Sequence, residues 1–99
     1  DREMTRAMFS EGQVAQGQAE LLEAGTPFRV AAACLSADGS GMGSVTILVD
    51  GVRSTAKEMP CNGAEVSIQM LGKAQDATVQ LSLSVPEGDV TAYAVGTAE

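Results

Sequence analysis

The chain has 99 residues, of which 44% are hydrophobic and 3% aromatic, and this length suits one domain rather than two. Its formal net charge of −7 produces a field that repels nucleic acid and anionic lipid headgroups, so neither is expected as a partner. The chain has no histidine and no CxxC pair, which excludes the usual Ser–His and Cys–His catalytic pairs and the common zinc, haem and iron–sulfur motifs. We therefore expect a single domain over residues 1–99 with no catalytic residues, no cofactor and no metal site.

The N-terminal segment shows the weakest periodic spacing of apolar residues. Met4 and Met8 lie at helical spacing, which fits either one helical turn or a short edge strand. Residues 1–16 are accordingly expected to be irregular or peripheral. Residues 13–24 also show partial helical spacing, but Gly17 is unfavourable inside a helix, so we favour a strand over residues 17–22.

From residue 27 onward, apolar and polar side chains alternate, which is typical of strands with one face on a core and one in water. The alternation is found in PFRVAAAC (27–34), SVTILVD (44–50), AEVSIQM (64–70) and ATVQLSLSV (77–85). Residues 90–95 form a further predicted strand. Seven or eight short strands at this spacing predict an all-β antiparallel β-sandwich, with a small β-barrel as the alternative.

Two dipeptides, Asp50-Gly51 and Asn62-Gly63, predict tight hairpins, because both readily adopt the positive φ values of a type I′ turn. The first hairpin would place Val49 opposite Val52 and Ile47 opposite Ser54. The second would place Met59 opposite Val66.

These two registers disagree about which face of the intervening strand meets the core. A slip of one residue inverts every side chain, so one register has to change. We expect the chain to bend between Lys57 and Cys61, through a bulge or a crossing to a second sheet. Pro60 is the expected break because it cannot donate to a strand ladder.

The two cysteines, Cys34 and Cys61, are either reduced core residues or a disulfide. We favour the disulfide, because each cysteine ends or begins a strand-like segment. The 27-residue separation would make the bridge worth about 3.5 kcal/mol on the chain-entropy estimate. The bridge would pin either two neighbouring strands or the two sheets.

The glycine-rich stretch ADGSGMGS (37–44) lacks the lysine of a phosphate-binding loop and is followed by a strand pattern, not a helix. We interpret it as a mobile connection whose remaining interest is recognition, with Asp38 and an exposed Met42 as candidate residues. An alternative is weak cation binding, calcium included, by carboxylates in predicted loops. Those carboxylates are Asp38, Asp50, Asp76, Glu87 and Asp89.

Three segments carry a resemblance: LLEAGTPFRVAAAC and SVPEGDVTAYAVG each place a turn before a strand, and MPCNGAEVSIQM lies between them. The layout of residues 17–96 resembles small secreted or lipid-anchored β-sandwich domains of actinobacteria. In those domains one cysteine closes a strand and the second precedes a short turn, as Cys34 and Cys61-Asn62-Gly63 do here. The resemblance implies a disulfide and an extracytoplasmic location, and it supplies no active site. The sequence departs from the pattern in lacking a signal segment and a lipidation cysteine.

The expected function is that of a non-catalytic module of the cell envelope or the extracellular space, either structural or protein-binding. The alternative is a sandwich that binds a small ligand or a cation through its loop carboxylates. A protein partner or a homo-oligomer is expected. No apolar stretch reaches the 18 residues of a transmembrane helix, so membrane association would require a lipid anchor removed from a precursor.

Overall fold

The protein is described from a computed structural model covering residues 2–10, 13–15, 17–72, 74–86 and 88–98, which contain nine strands and no helix. The strands are β1 (Arg2–Ser10), β2 (Gln13–Ala15), β3 (Glu20–Leu22), β4 (Phe28–Ser36), β5 (Met42–Val49), β6 (Val52–Pro60), β7 (Val66–Met70), β8 (Ala77–Ser84) and β9 (Val90–Ala98). In this part of the chain no helix is long and apolar enough to cross a membrane.

The strands form two antiparallel sheets. The five-stranded sheet has the order β2-β1-β9-β4-β7, and the four-stranded sheet has the order β3-β8-β5-β6. Their inner faces share one hydrophobic core, which includes Val30 and Ala94 from the first sheet and Val45 and Leu81 from the second. The predicted antiparallel β-sandwich with one disulfide is therefore confirmed.

The N-terminal segment differs from the irregular or peripheral arrangement expected for residues 1–16. β1 lies inside the five-stranded sheet, between β2 and β9. Thr5 and Ala7 point inward and are buried. A threonine and an alanine give little hydrophobic contrast with their neighbours, so the alternation of β1 is hard to see in the sequence. Of the strand expected over residues 17–22, only Glu20–Leu22 is formed.

Close packing inside the core depends on a glycine in β9. The Phe28 ring is 1% exposed and lies against Gly96, where an added Cβ would come within 2.9 Å of Phe28 Cε1 and nearer still to Cζ. A glycine inside a strand often marks such a close approach. Gly96 therefore makes room for the largest fully buried side chain of the described core.

The Asp50-Gly51 turn forms the predicted hairpin. Asp50 and Gly51 have φ values of 51° and 80°, as a type I′ turn requires, and Val49 pairs with Val52. The register then shifts between Ile47 and Leu48, so Ile47 lies opposite Thr55 and not opposite Ser54. The predicted Ile47–Ser54 pairing is therefore wrong, because the strand carries a bulge that the turn does not reveal.

The conflict between the two registers is resolved by this bulge and by a crossing between the sheets after Pro60. β6 continues to pair with β5 without a further shift from Thr55 to Pro60, so of the two predicted forms of the bend the bulge is absent from this stretch. The second predicted hairpin, with Met59 opposite Val66, is also wrong, because β7 pairs with β4. β6 ends at Pro60, and Asn62 already pairs with Leu35 of the other sheet. The predicted crossing to a second sheet, with Pro60 as the break, is therefore confirmed, and the chain goes on to form β7 at the edge of that sheet.

The disulfide lies where the chain crosses between the sheets. Cys34 in β4 is bonded to Cys61, which follows β6, and their Cα atoms are 4.3 Å apart. Both residues are buried. Of the two arrangements considered from the sequence, the bridge thus joins the two sheets.

Candidate functional site

The 36–41 connection is tied together by hydrogen bonds, although the sequence suggests a mobile loop. Asp38 Oδ1 accepts from the Ser40 hydroxyl at 2.8 Å, from the Ser40 backbone N–H at 3.1 Å and from the Ser36 hydroxyl at 3.0 Å. The Ser36 hydroxyl also lies 2.6 Å from the Ser40 carbonyl oxygen and 3.2 Å from that of Cys61. Its single proton is shared among these acceptors. The buried Ser36 thus links the 36–41 connection to Cys61, where the chain crosses between the sheets.

These donors favour the ionised form of Asp38. The hydroxyl of Ser40, the backbone N–H of Ser40 and the hydroxyl of Ser36 together lower the pKa of the Asp38 carboxyl below its usual 3.8, against a smaller opposing effect of desolvation. Asp38 is therefore a fixed negative charge at this end of the sandwich at neutral pH.

The two candidate recognition residues are placed differently from each other. Asp38 belongs to the hydrogen-bonded connection, whereas Met42 is the first residue of β5 and pairs with Pro60. The connection predicted over residues 37–44 therefore ends before Met42, which begins β5. Its side chain is exposed, but it is held on a paired strand.

The loop carboxylates do not all converge on one site, although Asp38 and Asp89 lie at the same end of the sandwich. Asp38 precedes β5 and Asp50 follows it, so the eight residues of that strand separate them by roughly 25 Å. Asp50 Oδ1 accepts from the Thr78 backbone N–H at 2.9 Å, and Asp76 Oδ1 accepts from the Ala24 N–H at 2.7 Å.

Asp50 and Asp76 therefore use their side chains to accept hydrogen bonds from backbone N–H groups. The described residues contain no group of three or more His, Cys, Asp or Glu side chains suited to a metal ion. Glu87 lies outside the described residues.

An apolar surface that the sequence does not reveal lies on the outer face of the five-stranded sheet. Met8 in β1 pairs with Tyr93 in β9, Tyr93 pairs with Ala33 in β4, and Leu35 is the next outward residue of β4. We call these four residues the outer patch. Leu35 is 54% exposed, and Met8 and Tyr93 are also exposed. Large contiguous apolar patches on a protein surface often mark interaction sites, whereas singly exposed apolar residues are common.

Tyr93 is fixed across this patch. Its hydroxyl donates to Glu65 Oε2 at 2.9 Å, and Glu65 lies just before β7, on the far side of β4. The ring therefore extends over β4, which accounts for Ala33 being only 7% exposed on an outward-facing position. The hydrogen bond to Glu65 raises the pKa of the Tyr93 phenol above its usual 10.0, with a smaller contribution from desolvation.

Two open grooves continue the patch at the end of the sandwich where β4 and β9 meet the 36–41 connection. One, of about 360 Å³, runs from Leu35 and Thr91 to Ala37 and Asp89. The second, of about 310 Å³, adjoins it and reaches Asp38. Asp89 lines both grooves and Asp38 lines the second, and the described lining of neither groove contains a lysine or arginine, so each groove is acidic.

The outer patch was hard to find because each of its members looks ordinary in the sequence. Leu35 and Tyr93 interrupt the alternation of their strands, where an outward polar residue is expected. These interruptions indicate a shared apolar surface only when strand pairing brings β1, β9 and β4 side by side.

A scan against protein-family models and a search of curated proteins both find no match to this chain.

Proposed function

We propose that this domain is a non-catalytic module outside the cytoplasm that binds another protein through the outer patch. The bound segment presents an apolar side chain to the patch and a lysine or arginine side chain to the adjoining acidic grooves. The observation that carries the proposal is the juxtaposition of an exposed apolar surface at Leu35 with the carboxylates of Asp38 and Asp89.

The compartment is inferred from the disulfide. Disulfides persist in oxidising compartments and are rare in the cytosol, and Cys34–Cys61 is a buried structural bridge between the sheets. The resemblance to secreted and lipid-anchored sandwich domains supports the same location. An envelope or extracellular module is therefore the interpretation that the disulfide favours.

The patch has the features of a modest binding surface. Fully burying a leucine side chain contributes about 1.5–3 kcal/mol, so covering the half-exposed Leu35 would contribute roughly 1 kcal/mol. Tyr93 adds a large aromatic surface whose orientation is already fixed by Glu65, which reduces the entropy lost on binding. Aromatic residues of this kind are frequent energetic centres of interfaces.

The negative charge of the domain favours a positively charged partner. The chain carries a net charge of −7, and the grooves beside the patch contain carboxylates without basic residues in their described lining. A basic segment is attracted by this field, and its association rate should fall as salt is added. A second copy of this acidic chain is repelled, so a different protein is the better occupant.

The proposal is tested by selecting a displayed random-peptide library on the oxidised protein. We expect enriched peptides to combine an apolar residue with a lysine or arginine, and to lose affinity for Leu35→Ser and for Asp89→Asn. Leu71→Ser and Glu58→Gln are matched controls, because Leu71 is 85% exposed and Glu58 is exposed on β6. Both lie outside the described lining of the patch and grooves.

Two outcomes would contradict the proposal. In one, the enriched peptides bind the patch variants and the control variants equally well. In the other, the oxidised protein sediments as a concentration-dependent oligomer that Leu35→Ser disrupts, which would identify a second copy as the occupant.

A further inference from the structure

We propose that Asn62–Gly63 is a modification site at which loss of the disulfide starts spontaneous deamidation. Asn-Gly is the dipeptide in which the following backbone nitrogen approaches the side-chain amide most easily, because glycine has no Cβ to obstruct it. Asn62 and Gly63 are both exposed to water. The proposal rests on the contacts of these residues and does not depend on the proposed function.

The chemistry needs only the chain and water. The Gly63 nitrogen attacks Asn62 Cγ, forming an N–Cγ bond, and the Cγ–Nδ2 bond breaks. The Gly63 nitrogen gives up its proton and the amide leaves as ammonia, which produces a cyclic succinimide. Water then opens either carbonyl of the ring, leaving aspartate or isoaspartate at position 62 and one added negative charge.

The folded, oxidised protein holds both reacting groups away from this reaction. The Gly63 N–H donates to the Cys34 carbonyl oxygen at 2.8 Å, and Asn62 Oδ1 accepts from the Ala64 N–H at 3.0 Å. A succinimide nitrogen carries no hydrogen, so the reaction requires the bond from Gly63 to Cys34 to break.

The disulfide maintains this arrangement. Asn62 makes an isolated antiparallel bridge with Leu35, and the covalent bond between Cys34 and Cys61 fixes the residue before each of these two partners. The Ser36 N–H donates to the Cys61 carbonyl oxygen at 3.1 Å on the other side of the bridge. A dithiol reductant that supplies two electrons and two protons converts the disulfide to two thiols. The crossing is then held by hydrogen bonds alone.

Deamidation is irreversible, so its product outlasts a temporary loss of the disulfide. Deamidation places a negative charge next to Leu35, and the charge persists after the cysteines are reoxidised. An added Cβ on Gly63 would lie 3.7 Å from Leu35 Cδ1, which shows how near this turn is to that side chain.

Asn62 is the only asparagine of the chain, so isotopically resolved intact mass reports this site directly, and Asn62→Gln is the matched control. The test incubates three samples at neutral pH: the oxidised protein, the protein kept reduced by a dithiol, and a synthetic peptide MPCNGAEV. We expect the oxidised protein to deamidate at least about fivefold more slowly than the peptide, the factor that one lost hydrogen bond represents. We expect the reduced protein to approach the rate of the peptide.

A double variant, Cys34→Ala with Cys61→Ala, repeats the test without reductant, and circular dichroism recorded on the same samples reports how much of the sandwich remains. The proposal is overturned if the oxidised protein deamidates as fast as the peptide. It is equally overturned if reduction and the double variant both leave the slow rate unchanged.

Discussion

Removing the disulfide should lower the free energy of unfolding by an amount that follows directly from the structure. Cys34→Ala combined with Cys61→Ala opens a link across 27 residues. The chain-entropy relation gives about 3.5 kcal/mol for a loop of this length. Domains of this size have an unfolding free energy of about 5–15 kcal/mol, so the variant should remain folded with a much smaller margin. The midpoint of thermal unfolding should fall by roughly 15–30 °C.

The assay is urea unfolding of the oxidised protein and of the double variant, followed by circular dichroism. The denaturant slope m should rise in the variant, because an uncrosslinked unfolded chain exposes more surface. The wild type unfolded in the presence of a reductant is the control and should match the variant. A loss of less than about 1 kcal/mol, well below the usual range for such bridges, would refute the conclusion that this bridge is a principal link between the sheets.

Three further outcomes are expected. Gly96→Ala should destabilise the protein by about 1–3 kcal/mol in urea unfolding, because the added methyl group meets the Phe28 ring; an unchanged midpoint would contradict the packing described. The folded-state pKa of Asp38 is lowered, so its contribution to stability is present above the usual 3.8 and is lost as pH falls through the folded value. The stability difference between wild type and Asp38→Asn should therefore shrink on acidification from about pH 5 to about pH 2, and a constant difference would contradict this. Millimolar calcium should leave the midpoint of thermal unfolding unchanged, because Asp38 and Asp50 lie at opposite ends of β5. A ligand that binds only the folded state raises this midpoint, so a rise with calcium would contradict the expectation.

Much of the architecture could be predicted because the inward residues of the later strands are strongly apolar. The run from Ala77 to Val85 alternates without interruption, and β8 occupies residues 77–84 of it. Asp50-Gly51 specifies its turn through backbone conformation alone. The disulfide was predictable because both cysteines flank strand-like segments.

The remaining features depend on contacts between residues far apart in the chain. The bulge that displaces Ser54 from Ile47 has no local signal, because neither glycine nor proline marks it. The sequence cannot show that Asn62 faces β4 instead of closing a hairpin, since turn propensity does not choose a pairing partner. The outer patch is likewise formed by three strands that lie far apart in the chain, so no short segment of the sequence contains it.

The central claim is that the outer patch binds a basic, apolar protein segment. The most direct measurement is the affinity of the library-selected peptides for wild type, Leu35→Ser and Leu71→Ser, measured by calorimetry at two salt concentrations. The account predicts a loss of about fivefold or more for Leu35→Ser, which corresponds to roughly 1 kcal/mol of lost apolar burial. It also predicts no change for Leu71→Ser and weaker binding to the wild type at higher salt. Equal affinities for all three proteins, independent of salt, would contradict it.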